Sequence, residues 1–310
     1  MSSVVLGRRL TLAAAIAVFL VIVASAYLRH AQAGLGCADW PSCYGAVGNA
    51  PAAAGAFVAR LVHRLAASTA LILIALIPFL ALRRQNGFDV ERRLAWLALA
   101  IALSLAVLGI ATPGARVPAV ALGNLAGGFA MFATLAVLAA RLSTKPASGC
   151  RRLARVALIV AALHVLSGGM IGAQFALTAC PASLACPGAD FGTLAATLDP
   201  LRPLDIADGR VRTVAGAAGL VLLHRGLAVA VLVLALAAAW STRADRTLAA
   251  TLAAAAVLGT VTGAVATLAQ PSLSATLAHN ALAAILVAAL AAAAFLRRVP
   301  ALRPPDSRTG

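Results

Sequence analysis

Residues 213–241 read TVAGAAGLVLLHRGLAVAVLVLALAAAWS, a run of 29 residues whose one permanent charge is Arg225, next to His224. At ~1.5 Å per residue, a helix of that length exceeds the ~30 Å hydrocarbon core of a bilayer. The run is rich in Ala and Leu and has no alternating polarity, which rules out a strand of a porin-like barrel. It predicts a membrane-spanning helix.

Seven more runs of this kind lie near 10–28, 56–82, 94–112, 117–140, 153–177, 246–269 and 273–296. The 310 residues are 62% hydrophobic and only 11% charged, whereas a soluble domain carries about 25% charged residues. The fold class is therefore all-α, a polytopic membrane protein with eight transmembrane helices. A formal net charge of +16 would suit a nucleic-acid binder only if its basic residues shared one solvated face. Here they form short clusters between apolar runs, so no nucleic-acid partner is expected, and the partner common to all eight segments is the lipid bilayer. The first run follows Arg8 and Arg9 but continues for about twenty apolar residues with no convincing cleavage site before Arg29, so it reads as a retained anchor.

Cytoplasmic loops keep positive charge and translocated ones do not. With the N-terminus inside, 17 of the 25 Lys and Arg fall on the inner side, among them Arg83, Arg84, Arg92, Arg93, Arg141, Arg151, Arg152, Arg297 and Arg298. Both termini are then cytoplasmic, in a bacterial inner membrane, and the long loops 29–55 and 178–212 face outward. Each of these loops carries a Cys pair with five residues between, Cys37 and Cys43 in GLGCADWPSCYG and Cys180 and Cys186 in ALTACPASLACPG. Each precedes a segment containing His-Arg, His63-Arg64 or His224-Arg225. This is an internal repeat of four helices, with an expected division into an N-terminal half (1–145), a C-terminal half (146–298) and a disordered cytoplasmic tail (299–310). An even number of spans per unit gives both halves the same orientation and a shared axis along the membrane normal.

Outward-facing Cys pairs meet an oxidising compartment, so two local disulfides are expected, Cys37–Cys43 and Cys180–Cys186, the second closing a small loop. A zinc site built from four Cys is the alternative, disfavoured by the CxxxxxC spacing. Cys150, on the inner side, is expected to be a free thiol. Four of the five histidines, His63, His164, His224 and His279, lie within apolar segments, where an ionisable group needs a partner, a cavity or a cofactor. His63, His224 and His279 all fall in the outer half of the bilayer. The residues three and four positions on are Ala66 and Ala67, Leu227 and Ala228, and Leu282 and Ala283. Such stripes suit a flat apolar macrocycle held between helices and equally suit ordinary helix packing. His224 and His279 could clamp a haem iron from both faces. In the first half Asn124 stands where a repeat of the last helix would place a ligand, leaving His63 opposite an open or weakly filled position, an arrangement better suited to substrate or oxygen chemistry. His164, followed by Ser167, Gly168 and Gly172, reads as a structural hydrogen bonder at a close helix contact.

Taken together these elements resemble the heme A synthase family, the membrane enzymes that finish the haem of cytochrome oxidase, with this chain a divergent member. The resemblance runs over nearly the whole chain. It rests on Arg29 eight residues before Cys37 of GLGCADWPSCYG, His63-Arg64, PxxxxxNLxGG at 118–128, the second CxxxxxC, His224-Arg225, and His279-Asn280-Ala281. It implies an oxidoreductase that converts the haem O methyl group to a formyl, giving haem A. Haem b would be held as cofactor by His224 and His279, haem O would be the substrate with His63 on its iron, and Cys37–Cys43 would be a functional disulfide. The partners implied are a haem O-producing farnesyltransferase and an unidentified electron donor; self-association into a homo-oligomer stays open. Two departures concern the catalytic positions. Arg60 stands where the family has Glu, and Asn124 stands where it has His. A guanidinium cannot accept a proton at working pH, so Arg60 is expected to pair with a haem propionate instead. Glu91, the one glutamate of the chain, is assigned to a cytoplasmic loop. The competing reading is a haem-b-binding assembly or carrier protein whose first-half catalytic site has decayed. A transporter is disfavoured because no broken helices pair with midplane charges.

Overall fold

The computed structural model of the chain describes residues 3–35, 42–46, 55–81, 87–112, 117–143, 149–180, 186, 189–268 and 272–295. The helices are α1 (Ser3–Gln32), α2 (Ala56–Leu76), α3 (Asp89–Ala111), α4 (Pro118–Arg141), α5 (Arg151–Ala173), the single-turn α6 (Leu194–Thr197), α7 (Ala217–Ser241), α8 (Arg246–Leu268) and α9 (Leu273–Phe295). All but α6 are long and apolar enough to cross a membrane, as the hydropathy pattern requires. Their exposed faces carry large apolar side chains such as Ile110, Val229, Val233 and Trp240. Water would penalise such surfaces and lipid tails accept them.

Packing explains which helix faces are buried. α1 packs on α2 and α4, and α3 on α4; in the later part of the chain α5 packs on α7 and α9, and α8 on α9. α4 and α9 pack against each other, with α1 against α9 and α4 against α5 alongside. The core they share is built from small residues interleaved with Leu and Ile, including Ala14, Val18, Ile74, Leu135, Leu138, Ala235, Leu252 and Leu290. Small side chains let helix backbones approach closely, which supplies dispersion contact where lipid removes the hydrophobic driving force.

Helix ends depart from the hydropathy boundaries for physical reasons. α1 runs past Leu28 through Arg29 and His30 to Gln32, because a helix satisfies its own backbone polar groups whatever its side chains. α2 gives way to a π-helical turn at Ile77–Ala81, where Pro78 has no N–H to donate. α5 stops at Ala173, and Gln174, buried at its end, donates from Nε2 to the Thr197 carbonyl at 2.7 Å. The second long loop thereby acquires α6, followed by a two-stranded antiparallel hairpin, β1 (Ile206–Ala207) and β2 (Arg210–Val211).

The two long loops touch. Val211 N–H donates to the Gly45 carbonyl at 2.9 Å, Arg210 Nη2 to the Tyr44 carbonyl at 3.2 Å, and the Tyr44 ring lies 5.9 Å from that of Phe175. Cys180 and Cys186 are paired with Cα atoms 5.1 Å apart, the geometry of a disulfide. The expected Cys37–Cys43 bridge involves Cys37, which lies outside the described residues, as does the tail from 299. Cys150 is an exposed free thiol.

Glu91 corrects the sequence reading. It lies in the first turn of α3, not in a loop, with 0% of its surface exposed. Arg141, at the end of α4, donates from Nε to Glu91 Oε1 at 3.0 Å and from Nη1 to the Phe295 carbonyl at 3.1 Å. One ion pair thus ties α3, α4 and α9 at the end opposite the long loops. Hydropathy missed this because it scores a charge as loop without asking whether a counter-charge returns from another helix. Removing one partner of a buried pair strands the other, at about 3–5 kcal/mol. Glu91→Ala should therefore lower the melting temperature in detergent sharply, and Glu91→Leu combined with Arg141→Met should recover most of the loss.

Candidate functional site

Six or seven residues in from the loop end of each helix, about 10 Å deep at ~1.5 Å per residue, stand His63 on α2, Asn124 on α4, His224 on α7 and His279 on α9. The fold separates them into two groups.

The first group is a cluster of imidazoles. His164, His224 and His279 each bring a ring nitrogen within 4.8 Å of the others. The His224 and His279 rings are 6.2 Å apart at 78°. An imidazole nitrogen bonds a first-row metal at about 2 Å, so two imidazoles on opposite faces of one iron hold their bonding nitrogens about 4 Å apart. His164 belongs to the cluster differently. Its ring lies parallel to His224, 4.0 Å away at 9°. Lone pairs lie in the ring plane, so an ion in the plane of one stacked ring is out of plane for the other, and these two cannot share a metal.

Hydrogen bonds fix the protons. His279 Nδ1 is 2.8 Å from the Gly259 carbonyl of α8; a carbonyl only accepts, so Nδ1 carries the hydrogen and Nε2 keeps its lone pair. His224 Nδ1 lies 3.0 Å from Ser167 Oγ and 3.2 Å from the His164 carbonyl, with the same consequence. Both imidazoles therefore offer Nε2 as a ligand atom, with the N–H of each held by a neighbouring helix, the arrangement found at metal-binding histidines. Two glycines give the rings room. A Cβ at Gly168 would stand 2.8 Å from His224 Cε1, and one at Gly263 2.8 Å from His279 Nδ1. This donor set fits an iron porphyrin, which His224 and His279 would hold through Nε2.

The second group lines a cavity of about 510 Å³ among α1, α2, α3 and α4. His63 and Asn124 are on its wall, with Arg29 and Arg64 as its cations and Ala67, Ala106 and Gly128 among its small residues. Gly109 and the 81% exposed Ile110 also line it, so the cavity opens between α2 and α3 onto the apolar surface. No acidic residue lines it among the described residues. Asn124 Nδ2 donates to the Val120 carbonyl of its own helix at 3.0 Å, which spends one of its donors. Arg60 is exposed and not among the lining residues.

Arg29 and His30 were not singled out from the sequence as interior groups. His30 is buried, and a Cβ at Gly172 of α5 would lie 3.5 Å from its Cε1. Arg29 lines the cavity and reaches Asn280 Oδ1, next in sequence to His279, from Nη2 at 3.4 Å, so one side chain runs from the cavity to the helix that carries His279. The available signal was the position of Arg29 directly after the apolar run 10–28, where one further turn of helix keeps it in α1.

The fold and site define a polytopic helical membrane protein with paired interior histidines and an adjoining apolar cavity. The chain belongs to the cytochrome oxidase assembly protein family (COX15-CtaA), whose model matches residues 8–291. It is 30% identical over 196 residues to the heme A synthase of Shewanella oneidensis, covering 54% of this chain and 58% of that protein. It is 33% identical over 99 residues to the heme A synthase of Symbiobacterium thermophilum, covering 32% and 31%. The chain thus spans less than two thirds of the length of either relative.

Glycine replacements test the space around the imidazoles. Gly168→Ala and Gly263→Ala should each cost about 1–3 kcal/mol by overpacking, read as a lower melting temperature in detergent. Gly226→Ala, where an added Cβ meets nothing within 4 Å, should be neutral or slightly stabilising.

Proposed function

We propose that the protein is a heme A synthase-type oxidoreductase of cytochrome oxidase assembly. In this reading His224 and His279 hold haem b, and the cavity beside His63 receives haem O, whose methyl group becomes the formyl of haem A. The observation that carries it is the approach of His224 and His279 from separate helices, each with its Nδ1–H bonded away and Nε2 open. Bound there, haem b would supply one-electron storage next to the substrate. Two similar four-helix halves, both termini on the cytoplasmic side and the loop end facing the periplasm of a bacterial inner membrane belong to the same proposal.

The chain's own residues then have definite tasks. His63 would ligate the substrate iron and so orient the porphyrin, while Ala67, Ala106 and Gly128 leave space for its flat body. The largely apolar wall would limit water around the bound porphyrin. A porphyrin brings carboxylates, and Arg29 and Arg64 are the cations available to them; Arg29, more deeply set, takes the part that the sequence suggested for Arg60. The opening between α2 and α3 would admit a lipid-soluble substrate from the bilayer.

A second reading, a haem-b-binding assembly or carrier protein without catalysis, draws on two observations: among the described residues the cavity wall holds no carboxylate, and Asn124 bonds its own helix. Expression with a haem O source in a host lacking its own synthase separates the two. Haem A in the extract is the expected result; haem O accumulation with haem b still bound would favour the second reading. In haem O titrations followed by difference spectra, Arg29→Leu should weaken binding about tenfold or more, as expected for a lost charge-assisted hydrogen bond, and Arg60→Leu should leave it unchanged. The reverse order would restore Arg60 as the propionate partner.

A further inference from the structure

His164, Ser167 and Gly168 share one face of α5 by their i, i+3, i+4 spacing, and that face meets the His224 ring of α7. Gly168 supplies space, since a Cβ there would come within 2.8 Å of the ring. Ser167 supplies an acceptor. Its Oγ is 2.8 Å from the His164 carbonyl and 3.0 Å from His224 Nδ1. A hydroxyl has one proton, and the carbonyl can use it only by accepting. The Ser167 proton therefore goes to the His164 carbonyl, and the oxygen turns a lone pair to His224 Nδ1–H. The same carbonyl, 3.2 Å from Nδ1, shares that hydrogen. His164 itself, 7% exposed, supplies a flat surface: its ring covers the His224 ring at 4.0 Å and 9°, and its own Nδ1 has no hydrogen-bond partner.

We propose that His164 and Ser167 are positioning residues for the haem ligand His224, Ser167 holding the proton on Nδ1 and the stacked His164 ring fixing the plane in which Nε2 points. This rests on the reading that His224 ligates haem b. His279 is served more simply, by the Gly259 carbonyl and the space at Gly263, so the α5 face is a device particular to His224. Its chemistry follows from ligand basicity. An imidazole whose N–H is held by an acceptor is a stronger donor through its other nitrogen, and a stronger donor favours the ferric state. The stacked ring controls a different property, the direction of the imidazole plane about its bond to iron.

The test is redox titration and low-temperature EPR of the purified full-length protein carrying haem b. Ser167→Ala should shift the ferric-to-ferrous ratio at fixed ambient potential about tenfold toward ferrous, an upward move of about 59 mV for one electron, and Ser167→Thr should restore it. His164→Ala should change the g-values of the low-spin ferric signal, and His164→Phe, which keeps a flat ring, should bring them back. If Ser167→Ala retains no haem, recovery of haem and potential in Ser167→Thr supports the proposal, and loss in both overturns it by marking a packing position only. Unaltered potential in Ser167→Ala together with unaltered g-values in His164→Ala also overturns it. A wild-type protein with no low-spin haem signal would instead refute the ligand reading beneath it.

Discussion

A neutral imidazole inside an apolar bundle has one N–H to place and one lone pair to offer, and leaving either buried and unmet costs free energy. The site is organised around that requirement. α8 provides the Gly259 carbonyl for His279, and α5 provides Ser167 with the His164 carbonyl for His224. A helix normally has no spare acceptor in its interior, yet each carbonyl has a second lone pair, and a close helix crossing brings it into reach. That crossing demands Gly263 on α8 and Gly168 on α5. Imidazole protonation, helix spacing and glycine placement are consequences of the same constraint.

The first four spans differ at the equivalent depth. His63 faces a cavity instead of a second imidazole, and Asn124 has spent a donor on Val120. A closed pair of ligands favours electron storage and an open position favours a substrate, so the asymmetry between the groups has chemical content. Arg29 joins them, lining the cavity while touching Asn280 beside His279. Arg60, exposed on α2, belongs to neither group, and nothing in the structure gives it a part in the site.

Much of the fold was legible in the sequence because the bilayer imposes a simple length and polarity code. All eight spans follow from it. The code fails where polar residues are helical and paired. It ended the first span before Arg29 and His30, and it put Glu91 in a loop, although Arg141 holds that carboxylate from another helix. His164 shows the same limit in finer detail. Its neighbours Ser167 and Gly168 pointed to a close helix contact, and the contact exists. The hydrogen bond across it is accepted by the His164 carbonyl and Ser167 Oγ, while the ring stacks. Which atom of a residue meets its neighbour depends on helix rotation, which periodicity leaves undetermined within an all-apolar segment.

The most direct test of the central claim, that His224 and His279 grip one iron between them, is nitrogen ENDOR on the ferric protein made with ¹⁵N-labelled histidine. Ligation by both histidines gives a low-spin centre coupled strongly to two ¹⁵N nuclei. A centre coupled to a single histidine nitrogen, or to none, would contradict it.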